Sequence, residues 1–495
     1  MNHRVLDTEP CSDLEAYQKM GGGEALEAAR LVEPDAVVDA LRRSGLRGRG
    51  GAGFPTATKW TSVIANASPD QPTPVIINGA EGEPSTFKDR AIIRANPYRV
   101  LEGALIACAV LKSRELVVCL KRSFVRERDR MSSAVEEMRL AGWLKDIDVC
   151  FVAGPSEYLF GEETALLEVV DGRQPFPRVT PPWRRGIEDG GDGTAAHAEL
   201  ASTQDTAGVP ALVNNVETFA NVALIVRNGP EWFREVGTQE SPGTIVCTIV
   251  GDVTRNGVGE FVMGTPLAEV IETLGAGPRD GRRLVGVLPG ASSAVINETR
   301  FGTPLTYEDF HDAGSALGSA GFLCIDDSAD PLRVARSAAR FLSVESCGQC
   351  TPCKDDGLAV TALLSLVIAG SASEADVKEI GSRLETITNE ARCSLAAQQQ
   401  VVIGSLLALG AELRSDFRPP SGEQGATTTD DPAGAEAPAR RCVLAPLVDI
   451  VDGAAVYDER QEDMQPDWTF DSVESGGYPA QRLQNVPLDT PDTHP

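Results

Sequence analysis

Four cysteines carry the clearest chemical signal in the sequence. Cys347, Cys350 and Cys353 are separated by two residues each, and Cys393 follows forty residues after the third. One tight turn can point three thiolates at a common centre while a distant segment supplies the fourth, which is the ligand set of a [4Fe-4S] cluster. A zinc site is the competing interpretation, although structural zinc usually takes two separated C-x-x-C pairs. A third interpretation is that the four cysteines are buried free thiols that bind no metal.

The other seven cysteines lie singly along the chain, and we expect them to be buried free thiols. They are Cys11, Cys108, Cys119, Cys150, Cys247, Cys324 and Cys442. Unpaired thiols together with an oxygen-sensitive cluster predict a reducing compartment, which indicates a cytoplasmic protein.

A glycine-rich loop over residues 48–53, Gly-Arg-Gly-Gly-Ala-Gly, predicts a phosphate site. Its letters match G-x-G-x-x-G, but that fingerprint must follow a strand and open a helix. Here a predicted helix precedes the loop and Phe54-Pro55 follow it, so we reject an ordinary dinucleotide fold. The glycines still allow backbone N–H groups to turn toward an anion. A plain flexible loop would not explain the three cations around it, which are Arg47, Arg49 and Lys59.

Acidic residues follow a predicted strand and precede a predicted helix. A buried strand over residues 74–78 runs into a polar segment with Glu81 and Glu83, and α/β folds place ligand contacts directly after such strands. Glu162 and Glu163 lie at a loop-to-helix junction, where they can accept hydrogen bonds from ribose hydroxyls or be simple helix N-terminal charges. From the residues alone we favour helix charges for this second pair.

The elements predict a multidomain α/β protein, because 495 residues are too many for one core. Helices and strands alternate between residues 74 and 153, which predicts a parallel sheet covered by helices. Short strands then dominate, followed by helices. We divide the chain into an N-terminal helical segment (1–40), an α/β domain (41–236), a small α+β domain (237–328), a helical domain with the cysteines (329–415), a disordered linker (416–440) and a C-terminal tail (441–495).

Two smaller features complete the chain. Asn214 and Asn215 follow a short strand, where side-chain amides can bind the edge of a heterocycle. In the tail, residues 447–457 carry the pattern of a β-hairpin built on an Asp452-Gly453 turn.

The net charge of −27 argues against nucleic acid as a partner and favours basic protein surfaces. No segment approaches the ~20 apolar residues that span a bilayer, and the first residues do not read as a signal peptide. We therefore expect membrane association only through partners.

In combination these motifs resemble the NADH-binding flavoprotein subunit of respiratory complex I and its relatives in soluble NAD-linked hydrogenases and formate dehydrogenases. The motifs that carry the resemblance are Ser44–Thr56, Lys59-Trp60, Glu81–Pro84, Phe87–Arg90, Tyr158, Gly161–Leu166, Pro181-Pro182, Asn214–Thr218 and the four clustered cysteines. The resemblance implies an unusual flavin-binding α/β domain, a small β-grasp (soluble-ligand-binding) domain and a C-terminal helical iron–sulfur domain. It also implies non-covalent FMN, a [4Fe-4S] cluster and oxidation of NADH.

The resemblance also assigns residues. The FMN set is Gly48, Arg49, Gly50, Lys59, Asn78, Asn214, Asn215 and Thr218, with Tyr158, Gly161 and Glu162 nearby. Glu81 is a further expected cofactor-binding residue. The NADH set is Phe54, Glu83, Glu163 and, as a stacking ring, Trp183. Lys59 and Glu83 are the expected catalytic residues, Lys59 because its charge favours reduced, anionic flavin. The carboxylate of Glu163 would bind the ribose hydroxyls of NADH and repel the 2′-phosphate of NADPH, so the helix-charge interpretation is set aside.

Two positions depart from the family pattern and keep other functions open. Ala80 replaces an acidic flavin contact, and Ser62 replaces an aromatic ring. We expect the chain to pass electrons to a further iron–sulfur protein, either a thioredoxin-like [2Fe-2S] subunit or a ferredoxin-like protein. The alternatives are the diaphorase subunit of a formate dehydrogenase, hydrogenase or ferredoxin oxidoreductase, and a non-catalytic electron-relay or assembly scaffold.

Overall fold

The computed structural model describes residues 3–68, 73–187, 209–415, 444–458, 461 and 481–482. The predicted disordered linker (416–440), residues 188–208 and most of the C-terminal tail lie outside these residues. The helices are α1 (Leu14–Lys19), α2 (Glu24–Leu31), α3 (Pro34–Ser44), α4 (Thr56–Asn66), α5 (Lys88–Ala95), α6 (Pro97–Leu111), α7 (Val125–Leu140), α8 (Glu163–Val170), α9 (Val216–Asn228), α10 (Pro230–Arg234), α11 (Leu267–Gly275), α12 (Tyr307–Asp312), α13 (Pro331–Glu345), α14 (Thr351–Ile368), α15 (Glu374–Thr386) and α16 (Leu395–Ser415). The strands are β1 (Val75–Gly79), β2 (Glu115–Lys121), β3 (Asp148–Gly154), β4 (Leu212–Asn215), β5 (Thr244–Gly251), β6 (Gly257–Val262), β7 (Leu284–Pro289), β8 (Ile296–Asn297), β9 (Gly321–Asp326), β10 (Leu447–Val451), β11 (Ala454–Tyr457) and β12 (Gln481–Arg482).

The first domain is built on a sheet with the strand order β12-β3-β2-β1-β4. Strands β1 to β4 are parallel, and β12 pairs antiparallel with β3 at the edge. Alternate residues of β1 enter two different cores: Val75 and Ile77 join the core that contains α6 and α9, and Ile76 joins the one that contains α8. Burial on both faces is what a parallel sheet requires. The predicted parallel sheet with helices against it is confirmed.

The second domain has the β-grasp arrangement that the resemblance implies. Its strand order is β6-β5-β9-β7-β8, with β5 and β9 parallel at the centre and antiparallel pairs on both sides. Helix α11 connects the first hairpin to the rest of the sheet and buries Leu267, Val270 and Ile271 against it. We call this the β-grasp domain.

The helical domain contains α13 to α16, and the cysteines lie where these helices begin and end. Cys350 precedes α14, Cys353 is in its first turn, and Cys393 lies just before α16. Pro352 is close to the start of α14, where its missing N–H costs nothing. Among the described residues no helix is both long and apolar enough to cross a membrane.

The predicted C-terminal hairpin is present. Strands β10 and β11 pair antiparallel, and the turn residues Asp452 and Gly453 both have positive φ, 50° and 78°. Two positive φ angles in a two-residue loop are the mark of a type I′ turn, which Asp-Gly favours.

One expectation from the sequence is wrong in part. The glycine loop does lead into a helix, because α4 begins at Thr56, directly after Phe54-Pro55. Pro55 stands at the N-cap, where its fixed φ suits helix entry. The preceding element is nevertheless helix α3 and not a strand, so an ordinary dinucleotide fingerprint remains excluded.

Helices α6 and α9 pack so closely that Gly103 has no room for a side chain. A Cβ at this position would lie 1.9 Å from the carbonyl oxygen of Phe219. We predict that Gly103→Ala forces the helices apart and lowers the free energy of unfolding by about 1–3 kcal/mol. The matched control is Gly381→Ala in α15, where the added methyl meets nothing within 4 Å. Alanine there should be neutral or stabilise by up to about 1 kcal/mol, and urea unfolding of both variants measures the difference.

Candidate functional site

The strand order of the first sheet places two asparagines side by side. Strand β1 lies between β2 and β4, and Asn78 of β1 is in register with Asn215 of β4. The chain continues from β1 to one side of the sheet and returns to the other, so the carboxyl ends of β1 and β4 border a crevice, the usual ligand position in such sheets. The side-chain amide of Asn78 donates to the carbonyl of Gly161, 2.9 Å away, and so ties the segment before α8 to this edge.

The glycine loop lies over the N-terminus of α9. The backbone N–H of Arg49 donates to the hydroxyl of Thr218 at 2.9 Å, and Gly48 N–H closes the loop on the carbonyl of Phe54. Asn215 caps the helix by accepting from Glu217 N–H. The loop and the positive end of a helix therefore face the same crevice.

The loop backbone fits an anion. Within the described residues, the N–H groups of residues 50 to 53 have no protein acceptor. Gly51 has φ +129°, and a Cβ there would meet nothing within 4 Å, whereas a Cβ on Gly50 would press on Asn215 at 3.2 Å. Successive free N–H groups beside open space are the geometry that binds phosphate oxygens. The phosphate of FMN fits this position.

The side chain of Arg49 is engaged elsewhere. Its guanidinium is 2% exposed and donates to the carbonyls of Thr244 and Pro242, at 3.0 and 3.3 Å, and to the hydroxyl of Tyr307. These acceptors belong to the β-grasp domain or the segment leading into it. Arg49 thus joins two domains, and the backbone of this residue is the part that lies in the glycine loop.

Lys88 lies under the site, although the sequence predicted no individual role for it. Its buried ammonium contacts Asp89 at 2.7 Å, Glu217 at 3.0 Å and the side-chain oxygen of Asn215 at 3.1 Å. The two carboxylates raise the pKa of Lys88 despite its burial. Burial raises the pKa of Asp89 to about 6, against the opposing effect of Lys88. A Lys-Asp pair in the first turn of α5 was the available signal.

Lys59 and Glu163, expected at FMN and NADH respectively, form an ion pair. Lys59 also donates to the carbonyl of Val213 at 3.2 Å. Glu162 caps α8 by accepting from the N–H groups of Thr164 and Ala165, and burial raises its pKa. Glu162 thus acts as the N-cap of α8, whereas Glu163 pairs with Lys59 and is more than one-third exposed.

Three further predicted residues surround the same space. Asn214 is turned to the protein: with its amide oriented to satisfy both groups, its oxygen accepts from the indole N–H of Trp60 at 2.9 Å. Phe54 and Trp183 stack with ring centroids 6.5 Å apart and 17° between their planes. Phe54 is 42% exposed, so this aromatic pair is accessible to a planar ligand.

Glu83 joins all three domains. Its carboxylate accepts from the N–H of Ala291, in the β-grasp domain, and from the hydroxyl of Tyr158 at 2.9 Å. Tyr158 in turn donates its backbone N–H to Glu345 at 2.8 Å and packs edge-on against Phe341, both in α13. Burial raises the pKa of Glu83 to about 7, and the two hydrogen bonds only partly oppose it.

Glu81 serves the protein itself. Its carboxylate accepts from the N–H groups of Asp89 and Arg90 at the start of α5 and pairs with the guanidinium of Arg90 at 2.8 Å. The side chains of Glu81 and Arg90 are each 2% exposed, so this carboxylate is closed to solvent. A contact between Glu81 and a cofactor stays a prediction that this geometry does not favour.

The four cysteines lie together at one end of the helical domain. Burial raises the pKa of Cys353 and of Cys393 to about 12, and the charges of the other clustered cysteines raise the pKa of Cys353 further. Within the described residues, no three His, Cys, Asp or Glu side chains are close enough to share one metal ion. Four cysteine thiolates are the ligand set of a [4Fe-4S] cluster, in which each thiolate binds a different iron.

Two glutamines and a lysine surround these thiols. The amide groups of Gln349 and Gln399 donate to the sulfurs of Cys347 and Cys353, at 3.4 and 3.3 Å. The buried ammonium of Lys354 holds the end of α13 through the carbonyls of Ser343, Val344 and Ser346. Hydrogen bonds to sulfur tune iron–sulfur clusters, so this donor set fits the cluster.

Comparisons with known proteins agree with this geometry. Residues 41–224 match the Nuo51 FMN-binding domain, and residues 333–412 match the NADH-ubiquinone oxidoreductase-F iron–sulfur binding region. The chain is 34% identical over 402 residues to an F subunit (the one numbered 2) of the NADH-quinone oxidoreductase of Rhizobium meliloti, covering 79% of this chain and 91% of that protein. It is 33% identical over 398 residues to the NADH-quinone oxidoreductase F subunit of Streptomyces coelicolor, covering 79% and 84%.

A solved structure is also similar. An NAD+-reducing [NiFe]-hydrogenase in its H2-reduced state matches with a TM-score of 0.70 and 29% identity, over 83% of this chain and 67% of that chain.

The raised pKa of Glu83 makes a prediction about pH. Because the protonated form is favoured in the folded state, the stability that this group contributes is present below its unfolded pKa and is lost as the pH rises through about 7. We predict that the free energy of unfolding of the wild type, relative to that of Glu83→Gln, decreases by about 2–4 kcal/mol between pH 5 and pH 8. Thermal melts of both proteins across this pH range measure the change. A difference that is constant over this range would contradict the assignment.

Proposed function

Because the chain belongs to the family of NADH-quinone oxidoreductase F subunits, which makes it an FMN- and [4Fe-4S]-dependent component of an NADH oxidoreductase, we propose how its residues divide this work. The crevice at the ends of β1 and β4 holds FMN. The aromatic pair, Glu83 and Glu163 hold NADH, and the four clustered cysteines hold the iron–sulfur cluster. Electrons leave through a partner iron–sulfur protein.

The observation that carries the proposal is the continuity between the two sites. Glu83 lies at the crevice, its partner Tyr158 packs on Phe341, and Glu345, which holds the backbone of Tyr158, comes two residues before Cys347. Hydride acceptance and single-electron transfer need their groups near each other in one rigid frame. A protein that only bound a nucleotide would have no need for this packed connection.

Bound FMN supplies the chemistry that accepts a hydride and releases electrons one at a time. The residues of this chain bind and orient. The free N–H groups of the glycine loop hold the phosphate, and Asn78 and Asn215 line the crevice beside it. Phe54 and Trp183 take the adenine by stacking. Burial of Glu83 and Tyr158 keeps water from the side of the crevice nearest the cluster.

The ion pair between Lys59 and Glu163 connects the two ligands electrostatically. Lys59 is mostly buried and Glu163 is more than one-third exposed, so Glu163 is the partner that an entering ribose can reach. When the hydroxyls of NADH bind Glu163, Lys59 stays available to the anionic cofactor. A 2′-phosphate in the same place would bring two negative charges together.

The partner and the place of action follow from this assignment. We propose a thioredoxin-like [2Fe-2S] or ferredoxin-like protein as the electron acceptor, and attachment to a membrane through such partners. A second candidate is the diaphorase subunit of an NAD-linked hydrogenase, which the similarity to the NAD+-reducing [NiFe]-hydrogenase supports. The scaffold alternative is less favoured, because Phe54, Lys59, Glu83 and Glu163 all surround the crevice.

An anaerobic titration tests the donor. We predict that NADH bleaches the flavin of the reconstituted protein and that NADPH does not, and that Glu163→Gln raises the activity with NADPH about tenfold or more by removing the like-charge conflict. Flavin absorbance and cluster EPR are recorded together. If FMN binds but neither nucleotide reduces it, Ala80 and Ser62 have removed the donor site and the scaffold alternative stands.

A cysteine variant separates the reduction of the flavin by NADH from the transfer of electrons to the cluster. We predict that Cys393→Ser loses the cluster EPR signal, because serine is a poor ligand for this iron site, while NADH still bleaches the flavin. Cys324→Ser, at a buried single cysteine of the β-grasp domain, is the control and keeps the signal. Retention of a full [4Fe-4S] signal in Cys393→Ser would show that another group is the fourth ligand.

A further inference from the structure

The C-terminal hairpin contacts the first two domains, although it lies outside both regions that match family models. We call residues 444–458 the C-terminal strap. Asp449 of the strap accepts from Arg94 at 2.8 Å and from Arg126 at 3.1 Å, both in the first domain. The backbone and side-chain N–H groups of Asn256, in the β-grasp domain, donate to the carbonyl of Gly453 at 2.7 and 2.9 Å.

The strap also reaches the helical domain. Leu444 donates its N–H to the hydroxyl of Ser337 at 2.6 Å, and its side chain is buried in the core around α13 and α16. Leu447 is 3% exposed and packs with Phe87 of the first domain and Val250 of the β-grasp domain. The strap therefore packs across the interface where the three domains meet.

One strap contact leads directly to the nucleotide site. The guanidinium of Arg90 is 2% exposed, and its Nη1 donates to the carbonyls of Leu447 and Val448 at 2.6 and 3.1 Å. The Nε of the same group binds Glu81 at 2.8 Å, and Nη2 binds the carbonyl of Thr86. Without the strap, one end of this buried cation would lose both of its acceptors, which is costly for a buried charge.

The loop that Arg90 holds is backbone-strained. Glu81 has φ +34°, an uncommon conformation for a residue with a side chain. Such conformations persist only where the surroundings over-determine them. The three donors on the Glu81 carboxylate do this, and Glu83 follows two residues later at the crevice.

We propose that the C-terminal strap is a positioning element for the NADH site. By giving Arg90 its acceptors, the strap fixes the segment from Glu81 to Glu83 and so places the carboxylate of Glu83. Arg90 and Asp449 act as positioning residues through this segment. The inference rests on the proposed function only in assigning Glu83 to the NADH site.

The test loosens the strap in the full-length protein loaded with FMN and cluster. The double variant Asn256→Ala/Asp449→Asn removes one hydrogen bond to Gly453 and the charge that pairs with two arginines. Gly453→Val is a second route, because φ is +78° there and a Cβ would lie 2.8 Å from Arg255 Cγ. We expect KM for NADH to rise about fivefold while kcat changes less than about twofold. We also expect amide exchange in residues 79–91 to accelerate about tenfold.

Val451→Thr is the matched control, since Val451 is on the same hairpin with an exposed side chain. It should leave both KM and exchange unchanged. Faster exchange in residues 444–458 with unchanged protection of residues 79–91 would overturn the proposal, because the strap would then be loose without consequence for the loop. If NADH does not reduce the wild-type flavin, the proposed function fails, but the exchange measurement needs no nucleotide and still decides the role of the strap.

Discussion

Buried cations at the contacts between domains are the interaction on which this structure depends. Arg49 is held by carbonyls of the β-grasp domain and the segment before it, and Arg90 by carbonyls of the C-terminal strap. A buried charge that loses its partners costs several kcal/mol, whereas the intact arrangement adds little net stability over apolar packing. These cations therefore favour one relative arrangement of the domains, because any other arrangement would leave a buried charge unpaired. They add little to the free energy of unfolding of that arrangement. An acidic chain can hold negatively charged ligands only if positive charge is kept close to them.

Much of the architecture could be predicted from the sequence because local patterns determine it. The apolar runs around Val75 and Leu116 predicted buried parallel strands, and Asp452-Gly453 predicted a hairpin turn, since few residue pairs accept two positive φ angles. Resemblance supplied the β-grasp domain, which periodicity alone described only as a small α+β unit.

The site was predicted as a set of residues but not as a set of contacts. That Asn78 and Asn215 meet follows from strand order, and the resemblance brought both to FMN. The pairing of Lys59 with Glu163, and the binding of the Arg49 and Glu81 side chains by other protein groups, depend on residues 8 to 258 positions away in sequence. No local pattern reports which acceptor a long side chain will reach. The charges and spacing of residues in the sequence therefore identified which positions belong to the site. Only the folded structure shows which of their side chains are free to bind a ligand.

The order in which the chain is synthesised gives the strap another consequence. Arg90 and Leu447 are separated by 357 residues. At about 5–20 residues per second, the strap leaves the ribosome roughly 20 to 70 s after Arg90 does. During this interval strands β1 to β4 can pair, yet the guanidinium of Arg90 has no strap carbonyls to bind. Contacts of such long sequence separation form late, so the contacts of the strap with the three domains form only after Leu447 has left the ribosome.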